Sequence, residues 1–357
     1  MRLKAVAAYW ISMLMILFAG ILQAQTNPVN RSEQDMAAYL MVYFKDDTHG
    51  LYMALSADGY SFTDVNNGLP IMAGDTLAEQ KGIRDPHIYR GPDNNFYMVM
   101  TDLHIFAQKD GLRKTKWQRS EKQYGWGNNN AIILMKSADL IHWQRTDLRV
   151  DKAFPELKDI GCAWAPETIY DPAEKKMMIY FTMRFGNGLN KLYYAYTDKA
   201  FTKLVSTPEL LFNFSQKRSY IDGDITEVDG KYHLFYVAHD AQSGIKQTVS
   251  DALKTGYRYD STWYDPEPKA CEAPTVWKRI GEQKWVLMYD IFGITPSNFG
   301  FSETTDFIHF KNLGRFNEGP MKSTNFSSPK HGAVIQITKS EARRLAAHWN
   351  MPFGNKL

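Results

Sequence analysis

The chain has 357 residues, a formal charge of only +3 and two cysteines, Cys162 and Cys271. No basic cluster marks a nucleic-acid footprint, and two cysteines 109 positions apart set no disulfide framework. Aromatic residues make up 14% of the chain, with 20 Tyr, 20 Phe and 9 Trp, a composition that suits half-buried strands and sugar-stacking platforms.

The first residues, "MRLKAVAAYWISMLMILFAGILQAQ", begin with basic Arg2 and Lys4 and continue uncharged through residues 5–22. With "LQA" before Gln25 they predict a secretory signal over 1–24, cleaved to leave a periplasmic or secreted protein. An uncleaved anchor is the competing reading; no stable membrane insertion is expected after cleavage. Residues 25–38 read as a linker. Export would permit a Cys162–Cys271 disulfide only if the two Cα atoms come within reach.

From residue 39 a unit recurs. It opens on a small or acidic residue, usually beside proline, runs through β-branched and aromatic residues, turns at Gly, Asp or Asn, and returns as a second aromatic strand. The copies are "RDPHIYRGPDNNFYMVMTD" (84–102), "WAPETIYDPAEKKMMIYFTM" (164–183), "IDGDITEVDGKYHLFYVAHD" (221–240) and "EAPTVWKRIGEQKWVLMYD" (272–290). "KHGAVIQIT" (330–338) is a truncated fifth. Each full copy has the alternation and turn chemistry of a hairpin.

A second motif, "SADGYSF" (56–62), "SADLIHW" (137–143) and "TTDFIHF" (304–310), places an Asp four residues before an aromatic. It predicts an outer hairpin, with the Asp making the turn and the aromatic packing between units. The chain opens on an outer hairpin lacking an inner strand and closes on an inner strand lacking an outer hairpin. Joining the two removes both free edges. The expected fold is therefore all-β: a five-bladed β-propeller over residues 39–340, its ring closed by N-terminal strands completing the last blade. A sandwich with similar strand spacing is the alternative. Residues 341–357 read as a helix and tail.

In a propeller the inner strands of all blades meet at the central channel. Asp85, Asp222 and Glu272 open three of those strands, and Trp164 opens a fourth, so three carboxylates and an aromatic wall are expected in one pocket. Taken singly, each acid is as well explained by a turn; three at matching positions point to chemistry. Glycosidic hydrolysis uses such a set, because one carboxyl protonates the departing oxygen while another acts on the opposite face of the sugar. A neighbouring negative charge keeps the first one protonated. The polar insert 108–130, with Trp117 and Trp126, is expected to overhang the pocket and favour removal of a terminal sugar; an ordinary surface loop is the alternative.

In order, these motifs resemble glycoside hydrolase family 43, five-bladed propeller glycosidases, over roughly residues 39–340. The resemblance implies that Asp85 in "RDPHI" is the general base, Asp222 in "YIDGDI" orients the acid and tunes its proton affinity, and Glu272 in "CEAPTV" is the general acid. "WAP" at 164–166 and "HG" at 331–332 complete the match. "IDGD" also offers Asp224, which strand alternation puts on the same side as Asp222. Glu167 in "WAPE" departs from the family pattern and is read as a substrate contact, a surface acid or a rival acid. His87 and His104 are read either as sugar contacts at the pocket rim or as satisfied structural histidines, and Trp164 and His331 are expected at the sugar.

The resemblance implies an inverting, exo-acting hydrolase, with base and acid about 6.5–9.5 Å apart to admit a water. Its expected substrates are oligo- or polysaccharides of plant type. α-L-Arabinofuranosidase activity ranks first, then β-xylosidase or β-D-galactofuranosidase. No cofactor is required; a structural calcium or sodium ion near His331 is implied by the resemblance alone, and no H-E-x-x-H or Cys/His set points to a catalytic metal. The rivals are a retaining fructan- or sucrose-type hydrolase, whose "NDPNG"-like segment residues 39–84 lack, and a non-catalytic carbohydrate-binding propeller.

Overall fold

The computed structural model describes residues 31–212, 217–239 and 243–353, so the expected signal over 1–24 lies outside the described residues. Strands β1 (Met36–Phe44), β2 (Leu51–Ser56) and β3 (Ser61–Asp64) come first. The first blade follows as β4 (Ile83–Arg90), β5 (Phe96–Asp102), β6 (Ala131–Ser137) and β7 (Gln144–Arg149). The second is β8 (Ile160–Asp171), β9 (Lys176–Phe185), β10 (Lys191–Tyr196) and β11 (Glu209–Leu210). The third has β12 (Tyr220–Val228), β13 (Lys231–His239) and β14 (Ser243–Ser250), and the fourth β15 (Cys271–Lys278), β16 (Trp285–Ile291), β17 (Phe299–Thr304) and β18 (Lys311–Arg315). β19 (Lys322–Ser323) and β20 (Lys330–Thr338) end the series.

The last sheet runs β19-β3-β2-β1-β20, so the closing blade takes its inner strand from one end of the chain and the next three from the other. β1 and β20 pair antiparallel from Met36↔Thr338 to Phe44↔Lys330. The expected five-bladed propeller and its mode of closure are both present. A helix over Lys339–His348 follows β20, capped by Thr338, whose side chain accepts from the Glu341 amide.

Five apolar clusters hold the ring, and each straddles two adjacent blades. Aromatics of the outer-hairpin motif lie in these seams: Phe62 of the closing blade meets Trp277 of the fourth edge-on, and Phe310 of the fourth meets Phe235 of the third. In all three copies the motif's Asp accepts the backbone N–H groups two and three residues on, as Asp58, Asp139 and Asp306 do. Cys162 and Cys271 are free, buried thiols, so no disulfide forms between them. Burial pushes the Cys162 thiol up to about 12.

Every inner strand carries the same irregularity. Its ladder slips at Arg84/His87, Trp164/Glu167, Ile221/Asp224 and Glu272/Thr275, and in the closing blade opposite Tyr43/Phe44. The slipped residue has positive φ in all five: Asp85 54°, Ala165 42°, Asp222 53°, Ala273 57° and His331 25°. These are β-bulges, which bend a strand and re-aim its side chains. The next residue is Pro86, Pro166, Gly223, Pro274 or Gly332. Proline suits the broken ladder because it has no N–H to leave unpaired. Gly332 is required by closure, since a Cβ there would lie 2.2 Å from the Val42 carbonyl oxygen.

Candidate active site

The bulges sort the inner-strand residues into two rings. Asp85, Ala165, Asp222, Ala273 and His331 hold the bulge position; Arg84, Trp164, Ile221, Glu272 and Lys330 hold the position before it. The expectation that Asp85, Asp222 and Glu272 share one position is thus corrected. Glu272 sits one residue earlier, level with Trp164, and the bulge is what lets both rings reach the same space. Asp85, Asp222, Glu272, Trp164 and His331 all line one cleft of about 170 Å³ at the end of the channel.

Within it, His331 Nδ1 is 3.2 Å from Asp85 Oδ1, and the Thr101 hydroxyl donates to Asp85 Oδ2 at 2.7 Å. Arg84 Nε is 4.0 Å from the same carboxylate. Burial alone would raise Asp85, but His331, Arg84 and Thr101 outweigh it and hold the carboxyl well below its usual range. Burial pushes the opposite way on His331, and Asp85, Asp222 and Glu272 overcome it to hold the imidazole above its usual range. Asp222 Oδ2 accepts the Ala273 N–H, which ties it to the strand carrying Glu272. Burial raises Asp222, with Glu272 and Asp85 adding to the effect and His331 opposing it.

The cross-strand partners of the earlier ring brace the bulges. Thr101 Oγ1 accepts the Ala165 N–H at 2.8 Å, and Thr182 Oγ1 accepts the Asp222 N–H at 3.1 Å. Each hydroxyl thereby satisfies a backbone donor that the neighbouring blade's bulge has released. In the fourth blade the same position, opposite Glu272, is Asp290.

The walls are aromatic. Trp164 donates its indole N–H to Gly127 O at 2.8 Å, and the Arg184 guanidinium lies over its ring at 4.4 Å. Trp126, from the polar insert, packs edge-on to Trp164 at 5.8 Å and is 52% exposed. Phe292, 58% exposed, faces the cleft from the fourth blade. Trp117 is buried behind Trp126 and does not reach the cleft.

Three expected sugar contacts are corrected. His104 is buried and stacked on His49 at 3.9 Å; its neighbours Leu103 and Ile105 line the cleft instead. His87 and Glu167 belong to a buried group deeper in the channel, with Asp224. The bulge breaks the alternation that was expected to put Asp222 and Asp224 on one side: Asp222 faces the cleft, while Asp224 resumes the ladder opposite Phe235. Glu167 is therefore no surface acid either.

The three side chains of that deeper group come within 4.8 Å of one another, close enough for a metal site. Their hydrogen bonding argues otherwise. The Thr168 N–H donates to His87 Nδ1, so a neutral ring carries its hydrogen on Nε2, the nitrogen 3.9 Å from Glu167 Oε2. Tyr180 donates to that same oxygen. Burial and the charge of Asp224 raise Glu167, and burial raises Asp224.

Arg84, Lys330, Asp46 and Asp290 also line the cleft, and none was singled out from sequence. Arg84 Nη1 bonds Asp46 Oδ1 at 2.8 Å, while Lys330 Nζ stands 3.1 Å from Asp290, 3.7 Å from Glu272 and 3.9 Å from Asp46. Aligning the repeats at the bulge would have found Arg84 and Lys330, which stand where the second and fourth units carry Trp164 and Glu272.

A model of the family described as "Probable glycosyl hydrolase domain", related to glycoside hydrolase family 43, matches residues 34–343. No curated protein matches the chain. An exo-1,5-α-L-arabinanase from a bovine ruminal metagenomic library is similar in structure, with 13% identity and a TM-score of 0.51 over 77% of this chain and 93% of that one. So is an endo-1,4-β-xylanase from Bacteroides thetaiotaomicron, at 12% identity and 0.51 over 81% and 94%. The family 43 protein BlXynB from Bacillus licheniformis gives 14% identity and 0.51 over 85% of this chain and 56% of that one. At these identities the structural likeness is one of fold, and the family match carries the assignment. A channel-end cleft that gathers Asp85, Asp222 and Glu272 from three blades is consistent with it: the chain belongs to the probable glycosyl hydrolase family related to glycoside hydrolase family 43, and it is a glycoside hydrolase.

Proposed function

We propose that the protein is an inverting, exo-acting glycosidase in which Asp85 is the general base, Glu272 the general acid and Asp222 the residue that keeps Glu272 protonated and aimed. The observation that carries this is the contrast between the two carboxyls. Asp85 lies among His331, Arg84 and Thr101, all of which favour its anion. Glu272 has Asp290 directly across its strand pair, and Asp222 is tied to the next residue of its own strand.

In the step itself, a water oxygen bonds to the anomeric carbon as the bond to the glycosidic oxygen breaks. Asp85 takes the water's proton and Glu272 gives its own to the departing oxygen. Solvent then restores both groups. The cleft is narrow and walled by Trp126, Trp164 and Phe292, which favours one terminal sugar over the interior of a chain. A pentose or furanose is the proposed sugar, with α-L-arabinofuranose first and β-xylose and β-D-galactofuranose after it.

The test is release from aryl α-L-arabinofuranoside, β-D-xylopyranoside and β-D-galactofuranoside by the wild type and Asp85→Asn. Release from one sugar, lost in the variant, is expected. Full activity in Asp85→Asn would overturn the assignment of the base. A folded wild type inactive on all three would favour the carbohydrate-binding propeller.

The chemistry uses no cofactor. The ion expected near His331 is proposed as structural. A melting temperature lowered by chelator and restored by calcium is the expected sign. Export is likewise proposed, to be checked by N-terminal sequencing of the mature protein, expected to begin at Gln25. Among the described residues no helix is long and apolar enough to cross a membrane.

A further inference from the structure

A second cavity opens beside the cleft. It is a groove of about 560 Å³, against about 170 Å³ for the cleft, and the two share Trp126, Trp164, Ile221, Phe292 and Glu272. Asp85 and Asp222 line the cleft alone, whereas Glu272 lines both cavities and so stands on their border. A group that protonates the departing oxygen lies between the sugar and what leaves it. With the terminal sugar in the cleft, the leaving group extends into the groove.

The wall between the two cavities is fixed in place. Arg184 is buried, donates to the carbonyls of Tyr124 and Trp126 and to Asn190 Oδ1, and lies over the Trp164 ring. Trp164 in turn donates to Gly127 O. The polar insert is thus pinned to the second blade before, at and after Trp126, whose exposed ring becomes a fixed platform on the border. Phe292 adds a second exposed ring from the fourth blade. Asn187 and Asn190, in the turn between β9 and β10, bring side-chain amides to the groove, and Phe185 and Leu189 stand exposed on the same turn. Among the described residues the basic side chains on this lining are Arg184, already engaged by two carbonyls and an amide, and His239. Exposed rings beside neutral hydrogen-bonding groups suit a sugar rather than an anion.

Resting on the assignment of Glu272 as the acid, we propose that this groove is the leaving-group site and that it binds a neutral sugar chain at least two residues long. Its volume sets the length, being more than three times that of the cleft that takes one sugar. The substrate is then an oligosaccharide or polymer branch that carries the terminal sugar, not the glycoside of a small alcohol. Contacts along the groove hold the glycosidic oxygen at Glu272, so binding remote from the broken bond is realised as rate.

The first test is chain length. On a di-, tri- and tetrasaccharide series ending in the sugar that the enzyme releases, kcat/KM is expected to rise about tenfold from the disaccharide to the trisaccharide. Ala270→Trp, which sets a ring into the groove, is expected to flatten the series. Asn187→Ala, at an exposed position, is expected to lessen the rise. A ratio between two substrates on one protein does not move when folded enzyme is merely lost. A series flat in the wild type, or a rise that persists in Ala270→Trp, overturns the proposal. The second test needs no turnover: calorimetry on Asp85→Asn with α-1,5-arabinotriose, β-1,4-xylotriose and trigalacturonate. One of the neutral trisaccharides is expected to bind, and to bind about tenfold more weakly once Ala270→Trp is added. Binding of neither, or of trigalacturonate alone, overturns the proposal. The expected binding in a protein whose wild type is inactive on every glycoside would uphold the sugar-chain site and overturn the hydrolytic reading alone.

Discussion

On the proposed assignment, Asp85 and Glu272 do opposite work with the same functional group, one as base and one as acid. Removing the base leaves water unactivated whatever the leaving group, whereas removing the acid matters less as the leaving oxygen becomes less basic. Asp85→Asn is expected to lower kcat/KM about 10²–10⁴-fold on all aryl glycosides. Glu272→Gln is expected to lose as much on a poor leaving group but to recover most of its rate with dinitrophenol. A series of aryl leaving groups measured on both variants separates the two behaviours. At this scale the acids were legible because each sits beside a proline or glycine at the head of an aromatic strand. Lys330 and Asp290 were not, since nothing near Lys330 in sequence reveals that β20 will place it against a carboxylate 40 positions earlier. The one-residue offset of Glu272 was hidden for a related reason. A motif such as "EAP" shows the acid and the proline but not which residue takes the positive φ.

Two local devices recur around the ring, and each predicts its own failure. The outer-hairpin Asp is the clearer in sequence, because its whole function is contained within four residues. Burial would raise Asp139, but the His142 ring and the amides of Ile141 and His142 hold it well below its usual range. A group depressed in the folded state stabilises above its unfolded value, near 3.9, and loses that contribution as pH falls through the folded value. Asp139→Ala is expected to cost about 1 kcal/mol at pH 7, like the loss of a helix cap, and the gap to wild type should begin to narrow below about pH 4 and go on narrowing as the folded carboxyl takes up its proton. Urea melts at pH 7 and at a series of values below about pH 4 check it. The inner-strand bulge depends on partners in the next blade and so could be read only in outline. Gly332→Ala would set a methyl against the Val42 carbonyl and is expected to cost about 1–3 kcal/mol through overpacking.

The ring closes on pairing between strands some 300 positions apart, β1 with β20, and the helix after β20 locks it to the first blade. Arg90 of β4 grips Glu341 at 2.6 and 3.0 Å, Arg31 meets the same carboxylate, and the Thr338 N–H donates to it at 2.8 Å. Glu341→Ala is expected to cost about 3 kcal/mol in denaturant melts, because two guanidinium groups are left without their partner at a buried joint. Closure was legible from the order of half-motifs at the two ends, which is a property of the whole chain. The clamp was not: Thr338 and Glu341 share the capping box, but nothing in sequence ties that box to Arg31 and Arg90.

Every blade meets at the cleft, so the whole arrangement answers to one stereochemical question. If Asp85 activates water while Glu272 protonates the leaving oxygen, attack comes from the face opposite the departing group and the anomeric centre inverts. The direct measurement is ¹H NMR of the sugar released in the first turnovers, before mutarotation, from whichever aryl glycoside is cleaved. Initial accumulation of the inverted anomer is the expected result. Initial accumulation of the retained anomer would mean a covalent intermediate on the enzyme, and would contradict the division of roles between Asp85 and Glu272.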